Sequence, residues 1–505
     1  MQEIVRKVLT ARVYDVAMES PLDPMPRLSE RLGRPVRLKR EDLQPVFSFK
    51  LRGAYNKVAS LSHEARRAGV ICASAGNHAQ GVAVAATRHG VKATVVVPAT
   101  TPDIKVQAIK RLGAEVVVHG ESYDDAYARA RELELESGAT FVHPFDDPEV
   151  IAGQGTIGIE VLHQHPEPLE ALFLPIGGGG LAAGVATLVR YLRPEVKLIG
   201  VEPEDAASMR AAFAHGGPVT LPEVGLFADG VAVRRVGDLT YRLCREALDE
   251  IVTVDTDAIC AAIKDVYENC RAIAEPAGAV ALAGLKAYAA RVGPGEGGLA
   301  AVLSGANLNF DRLRHVAERA ELGEGLEALL AVGMPERPGS YRRFITLLNG
   351  RMITAFSYRY ADPERARIFV GVALRDGEGE KRELIERIRS GGFDVIDLSD
   401  NETAKTHTRY LVGGRARAVE HERIFRFEFP ERPGALLRFL ESLHPGWNVT
   451  LFHYRYHGAD YGRVLAGIEA PPEQGEELRR ALDELAYPYQ EVTDDVSVRL
   501  FLREG

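Results

Sequence analysis

The chain is 505 residues long, with 46% hydrophobic and 26% charged residues; this excludes a single compact core and points to roughly two to four domains of ordinary globular composition. Its formal charge of −9 gives no basic field for a phosphodiester backbone, so nucleic acid is excluded as a partner and a small metabolite fits better. No apolar run reaches the ~20 residues needed to span a bilayer, and Cys72, Cys244, Cys260 and Cys270 fall in no C-x-x-C pair and no zinc-ligand spacing, so no membrane or metal role is expected and the cysteines read as buried apolar fillers.

The N-terminal segment carries Glu3, Asp15 and Glu19 without a long apolar stretch, which leaves a secretory leader unsupported and makes the cytosol the expected compartment. From about residue 35 to 310, β-branched runs alternate with helical stretches, the pattern of parallel strands covered by helices on both faces. The expected strands are VRLKRED, GVICAS, ATVVVPA, AEVVVHG, ATFVHP, ALFLPIGGGG, VKLIGVEP and LAAVLSG. After ATVVVPA, Thr101 reads as an N-cap, Pro102 as the first helical residue and Gly113 as the stop.

Four segments at strand ends carry chemistry. In Phe47-Ser48-Phe49-Lys50-Leu51-Arg52-Gly53, Lys50 falls in a first helical turn among apolar neighbours, where the helix dipole and desolvation both favour a free amine; the plain alternative is a solvated surface lysine. Ser74-Ala75-Gly76-Asn77-His78-Ala79-Gln80 joins a strand to a helix through small residues whose backbone donors suit a carboxylate, while the Asn77 amide can donate to a phenolic oxygen. An ordinary N-cap explains this segment as well, and His78 by itself reads as a structural helix residue. Gly177-Gly178-Gly179-Gly180-Leu181 lets backbone N–H groups converge on a phosphate at a helix start, and its spacing matches neither a dinucleotide fingerprint nor an ATP loop. Ser304-Gly305-Ala306-Asn307 follows the last strand, where a serine would ordinarily be read as a cap.

Beyond about residue 325 the texture changes and the chain repeats itself. Pro335-Glu336-Arg337-Pro338-Gly339 returns as Pro430-Glu431-Arg432-Pro433-Gly434, 95 residues on, and FSYRY from Phe356 returns as FHYRY from Phe452. Each copy reads strand, helix, strand, strand, helix, strand, the ferredoxin-like order. GGRARAVEHE between them reads as a linker.

Together S-F-K-x-R-G-A, S-A-G-N-H-A-Q, G-G-G-G-L and S-G-A-N resemble the fold-type II pyridoxal phosphate enzymes, and the whole chain, duplication included, is similar to the biosynthetic threonine dehydratase family. The resemblance implies an α/β catalytic region over 1–322 made of two subdomains with parallel sheets, then two ferredoxin-like ACT-like modules over 327–399 and 421–493. It implies that Lys50, beside Phe49, carries pyridoxal phosphate as a Schiff base; that Gly177, Gly178, Gly179, Gly180 and Leu181 bind the phosphate; that Asn77 meets the 3′-oxygen and Ser304 the pyridine nitrogen. Ser74, Ala75, Gly76, Asn77 and His78 would hold the substrate carboxylate, and Glu275 either borders the site or simply starts a helix. The implied reaction converts L-threonine to 2-oxobutanoate and ammonia, with the ε-amine of Lys50 as general base. A neutral hydroxyl at Ser304 leaves the ring nitrogen largely unprotonated and favours β-elimination. The family's modules take isoleucine as feedback inhibitor and valine as its opponent in a homotetramer. Tyr358 and Tyr454 are the effector-contacting candidates, unless they only pack a strand or interface, and the modules could serve oligomerisation alone. The competing readings are another serine/threonine dehydratase or a serine racemase, which the duplication disfavours, and a catalytically silent amino-acid-binding regulator, which Lys50 and the intact glycine loop disfavour.

Overall fold

β-Branched runs that alternate with helices bury both faces of a sheet only when helices cover each side, and the chain follows this logic up to residue 303. The computed structural model describes residues 1–165, 168–335, 340–358, 365–411, 419, 421–430, 435–455 and 461–503. The chain divides into two units, Met1–Leu308 and Asn309–Gly505.

Among the described residues, ten strands lie in the first unit: β1 (Leu22–Pro24), β2 (Val36–Arg40), β3 (Val70–Ala73), β4 (Ala93–Val97), β5 (Glu115–Val118), β6 (Thr140–Phe141), β7 (Leu169–Pro175), β8 (Lys197–Pro203), β9 (Glu250–Val254) and β10 (Gly298–Leu303). One sheet runs β5-β4-β3-β6 and is wholly parallel. The other runs β1-β2-β10-β7-β8-β9 and is parallel apart from the β1/β2 pair. All eight expected strands are present. The two additions are edge strands: β1 has three residues, one a proline, and β9 leaves most of its side chains half-exposed, so neither shows the buried run of a central strand. Of ATFVHP only Thr140 and Phe141 pair in the sheet, and the rest turns away to build part of the site. The helix after β4 spans Asp103–Arg111, with Pro102 rather than Thr101 at its cap; Gly113, at φ +92°, ends it as expected. Cys72, Cys244 and Cys260 are buried and Cys270 is partly so.

In the second unit, β11 (Glu327–Pro335), β12 (Ile353–Tyr358), β13 (Arg365–Ala373) and β14 (Asp394–Asp397) form an antiparallel sheet in the order β12-β13-β11-β14. The strands β15 (Glu422–Pro430), β16 (Asn448–Arg455), β17 (Tyr461–Glu469) and β18 (Tyr489–Glu491) repeat it as β16-β17-β15-β18. The duplication extends to detail. β12 and β16 both slip register by one residue, at Thr354 and Thr450, and each threonine hydroxyl donates to the glutamate that opens its module, Glu327 or Glu422. The segments leaving the two modules meet through their helix caps, Asn401 Nδ2 donating to Asp495 Oδ2 at 2.9 Å. Helix Arg312–Gly323 packs within this unit, where Arg319 pairs with Glu402. Residues 336–339 and 431–434 and most of GGRARAVEHE lie outside the described residues, as do the side chains of Tyr358 and Tyr454. Among the described residues no helix is long and apolar enough to cross a membrane.

Candidate active site

Lys50 is the first residue of helix Lys50–Ser60, and glycines fix where that helix lies. A Cβ on Gly53 would sit 2.6 Å from the Val150 carbonyl oxygen, and one on Gly153 2.6 Å from that of Arg52, so helices Lys50–Ser60 and Pro148–Gln164 cross at backbone distance. Gly81 brings helix Asn77–His89 equally close, 3.1 Å separating its virtual Cβ from the Lys50 carbonyl carbon. The turn before Lys50 is zipped to the turn after β10: the Phe49 N–H donates to the Ser304 carbonyl at 3.2 Å and the Ala306 N–H to the Phe47 carbonyl at 2.8 Å. Phe47 is held at φ +55° to make this possible, a conformation that β-carbon-bearing residues adopt at a cost.

The Lys50 amine donates to the Pro144 carbonyl at 3.0 Å and lies 5.2 Å from the centre of the Phe49 ring. Burial pushes its pKa down to about 8, partly offset by the Glu275 carboxylate, so near neutral pH a usable share of the amine is unprotonated. Its acceptor belongs to the turn after β6, His143–Asp147, which ties the site together. His143 Nδ1 accepts the N–H groups of Phe145 and Asp146 at 3.3 and 2.8 Å. Burial drives this imidazole down to about 4 despite Asp146 and Asp147, so it remains neutral and can accept. Asp146 in turn caps helix Asp238–Ala247 by accepting from the N–H groups of Leu239 and Thr240, both at 3.0 Å.

The glycine loop between β7 and helix Gly180–Leu192 rests on this turn. Phe145 fills the place a Cβ would need on Gly178, and its Cα lies 3.0 Å from a virtual Cβ on Gly180; at Gly177 the obstacle is Val231, at 2.8 Å. Gly179 sits at φ +94° with Met209 and Thr240 against it, so both space and backbone conformation require glycine. The carbonyls face inward, with Gly178 accepting from the Thr240 hydroxyl at 2.7 Å. The N–H groups of Gly177 to Leu181 find no acceptor among the described residues. Five adjacent donors at the start of a helix form an anion cradle, and a phosphate suits it.

The Ser74–His78 loop is held less tightly: Ser74 N–H donates to Val96, Gly76 N–H donates to Ser74 Oγ at 3.2 Å, and Asn77 opens helix Asn77–His89. Asn77 Nδ2 donates to Glu275 Oε1 at 2.6 Å, and its Oδ1 accepts from Asn307 Nδ2 at 2.6 Å. His78 is buried, its Nε2 against the Val142 carbonyl at 2.8 Å, and burial together with the nearby Lys50 charge drives its pKa down to about 3. It is a neutral ring at any working pH, which is the geometry of a helix-packing histidine. Ser304 is buried and donates to the Ala277 carbonyl at 3.3 Å, long for a hydroxyl and cheaply exchanged for another acceptor. Glu275 is buried at the start of helix Pro276–Val292, so it both starts a helix and faces Asn77.

The structure therefore gathers Lys50, Asn77, Ser304 and the glycine loop through contacts confined to the first unit. Three groups escaped the sequence reading. The His143–Asp147 turn had a legible signal, since sites in parallel sheets form beyond the carboxyl ends of strands. Asn307 stood in a motif already singled out for its serine. The third is a buried ion-pair group behind the lysine helix: Arg52 pairs with Glu41 at 2.7 Å and Glu160 at 2.5 Å, and Lys39 with Glu160 at 2.6 Å. Nothing in local spacing announces it, because its members are drawn from three distant segments.

Comparison with known proteins places this arrangement in a class. Residues 14–305 match the model for "Pyridoxal-phosphate dependent enzyme", and 318–408 and 413–502 each match that for "C-terminal regulatory domain of Threonine dehydratase". The "L-threonine dehydratase biosynthetic IlvA" proteins of Burkholderia multivorans and Escherichia coli are 56% and 54% identical, covering 99% of this chain in both cases and 99% and 97% of their own. The solved processed form of threonine deaminase isoform 2 from Solanum lycopersicum is 50% identical, with TM-score 0.62, over 63% of this chain and 92% of that one. The chain belongs to the biosynthetic threonine dehydratases, within the pyridoxal-phosphate dependent enzymes.

Proposed function

We propose that the chain removes water and then ammonia from L-threonine to yield 2-oxobutanoate, the committed step toward isoleucine, and that isoleucine binding to the duplicated modules inhibits it. One observation carries the reading: Pro144 accepts from the Lys50 amine while the next residue, Phe145, backs the glycine loop, so nucleophile and phosphate cradle are set by one turn. The open N–H groups of Gly177 to Leu181 and the buried amine with its pKa near 8 fit pyridoxal phosphate, whose ring, when bound, draws negative charge away from the substrate α-carbon. Gly177 to Leu181 would hold the phosphate, Lys50 the aldehyde carbon, Asn77 the 3′-oxygen and Ser304 the ring nitrogen.

The protein's own part follows from its residues. Lys50, unprotonated, takes the α-proton of the substrate, and its carbonyl contact at Pro144 returns it to one position between steps. The Ser304 hydroxyl carries no charge, so it leaves a facing ring nitrogen largely unprotonated and favours prompt loss of the β-hydroxyl. The Ser74–His78 loop holds the substrate carboxylate with backbone donors. Residues 1–322 are assigned to this chemistry and 327–399 and 421–493 to effector binding, with valine opposing isoleucine in a homotetramer and Tyr358 and Tyr454, at the equivalent ends of β12 and β16, as effector contacts.

The test is release of 2-oxo acid from threonine and from serine, with and without isoleucine. Threonine should be preferred by roughly 10- to 200-fold, since the two substrates differ by one methyl group, and isoleucine should suppress both reactions. No 2-oxo acid from either amino acid would sink the reading. A second expectation concerns the loop: Gly178→Ala, which drives a methyl group into Phe145, should cost about 1–3 kcal/mol in thermal or denaturant unfolding and weaken pyridoxal phosphate binding by roughly tenfold or more, read by titrating the cofactor-free protein.

A further inference from the structure

Asn77 is held from both sides of its amide, and the two partners are of opposite kinds. Glu275 is 6% exposed and its carboxylate can only accept, so it must face the Asn77 NH2 group, 2.6 Å away. The Asn307 NH2 group can only donate, so it must face the Asn77 oxygen, also at 2.6 Å. The other Asn307 hydrogen is spent on the Val46 carbonyl at 2.8 Å, so Asn307 cannot turn over without losing that bond. The amide of Asn77 thus has one allowed orientation. Its oxygen is engaged, one of its hydrogens is engaged, and one hydrogen remains for another acceptor.

The three residues come from three elements that have no other reason to agree: Asn77 begins helix Asn77–His89, Glu275 precedes helix Pro276–Val292, and Asn307 follows β10. Backbone contacts hold the outer two together. The Glu275 N–H donates to the Gly305 carbonyl at 3.2 Å, and the Glu275 carboxylate occupies the place a Cβ on Gly305 would need. Glycine at 305 is what admits the carboxylate to the turn. The same carboxylate is the anion that acts on Lys50.

We infer that Glu275 and Asn307 are positioning residues that fix the polarity of the Asn77 amide, so that it presents a donor hydrogen, never its oxygen, to the 3′-oxygen of the cofactor. This rests on the assignment of Asn77 to that oxygen made above. With either partner gone, the amide can flip, and in the flipped state it sets a carbonyl dipole against an anionic or phenolic oxygen.

The decisive experiment titrates the cofactor-free protein with pyridoxal phosphate and records the visible absorption of the bound form, for Asn77→Ala, Asn307→Ala, Glu275→Ala and the doubles with Asn77→Ala. Asn307→Ala and Glu275→Ala should each weaken cofactor binding by ~10-fold, the scale of one lost hydrogen bond to a charged or oriented partner, and shift the absorption maximum in the same sense as Asn77→Ala. Each double should bind no worse than Asn77→Ala alone at a pH above the Lys50 midpoint, because there the partners act on cofactor binding through that amide. Glu275→Gln keeps an oxygen to accept from Asn77 and should restore affinity and spectrum to within ~3-fold of wild type, which a purely structural role for the charge would not allow. Additive losses in the doubles, or an unshifted spectrum in Asn307→Ala, would overturn the inference. An Asn77→Ala protein with wild-type affinity and spectrum would instead overturn the assignment of Asn77 beneath it. Should either alanine variant fold poorly, Asn307→Ser and Glu275→Leu, neither of which keeps the lost amide donor or carboxylate acceptor, carry the same comparison at the same positions.

Discussion

Lys50→Ala should reduce threonine turnover by ~10³-fold or more, because in the proposed function it removes a general base worth about 10²- to 10⁴-fold together with the amine assigned to hold the cofactor. The pH dependence of the same residue provides an independent check. Below its pKa a lysine is an ammonium and cannot attack a carbonyl; above it, it can. Burial sets that point near 8, with Glu275 acting in the opposite direction. Cofactor uptake by the cofactor-free protein should therefore quicken about tenfold per pH unit up to about pH 8 and then level off. In Glu275→Gln the opposing charge is gone, so the midpoint should move lower. A midpoint near 10.5, the value of an ordinary lysine, or a turnover in Lys50→Ala close to that of wild type, would remove Lys50 from its role.

Arg52→Met should destabilise the protein by about 3–5 kcal/mol, the range expected when one partner is taken from a buried ion pair. Arg52 and Lys39 are fully buried and balance two carboxylates, Glu41 and Glu160, that are equally buried. Without Arg52, Lys39 alone faces both. Arg52→Lys should recover less than half of the loss, because one ammonium cannot bridge Glu41 and Glu160 as the guanidinium fork does. Burial pushes the Glu160 carboxyl up, but Arg52 and Lys39 outweigh it and hold it below its ordinary 4.5. A carboxylate depressed in the folded state contributes stability above the ordinary value and loses it as pH falls through the depressed one. The difference between wild type and Arg52→Met in denaturant unfolding should accordingly be largest near neutral pH and narrow below about pH 4.5. Equal unfolding midpoints at pH 7 would show that the network is dispensable. Because the helix that carries Arg52 begins at Lys50, a partly folded Arg52→Met protein should also take up cofactor poorly.

Local chemistry explains how much was legible beforehand. The glycine run and the lysine turn each announce a site, because a backbone donor array and a helix-initial amine are properties of a few adjacent residues. The central strands were legible for the same reason: a parallel strand buried on both faces has to be a continuous apolar run, as β10 is along its whole length. The duplication was legible because two equal sheets need equal patterns. Edge strands β1 and β9, the shortness of β6 and the start of helix Asp103–Arg111 were not, since each depends on what a neighbour leaves open rather than on its own residues.

By itself the sequence determined the family and that two like modules follow the catalytic region, and it singled out the amine, the glycine run and the small residues proposed here for the chemistry. Only the tertiary structure decided the electrical state of those groups. Lys50 is partly neutral because distant chain buries it, His78 is wholly neutral for the same reason, and the Asn77 amide points one way because Glu275 and Asn307 arrive from elsewhere in the chain to hold it. Solvation and hydrogen-bond polarity are set by what surrounds a group in space, and a residue's neighbours along the chain specify only a small part of that surrounding.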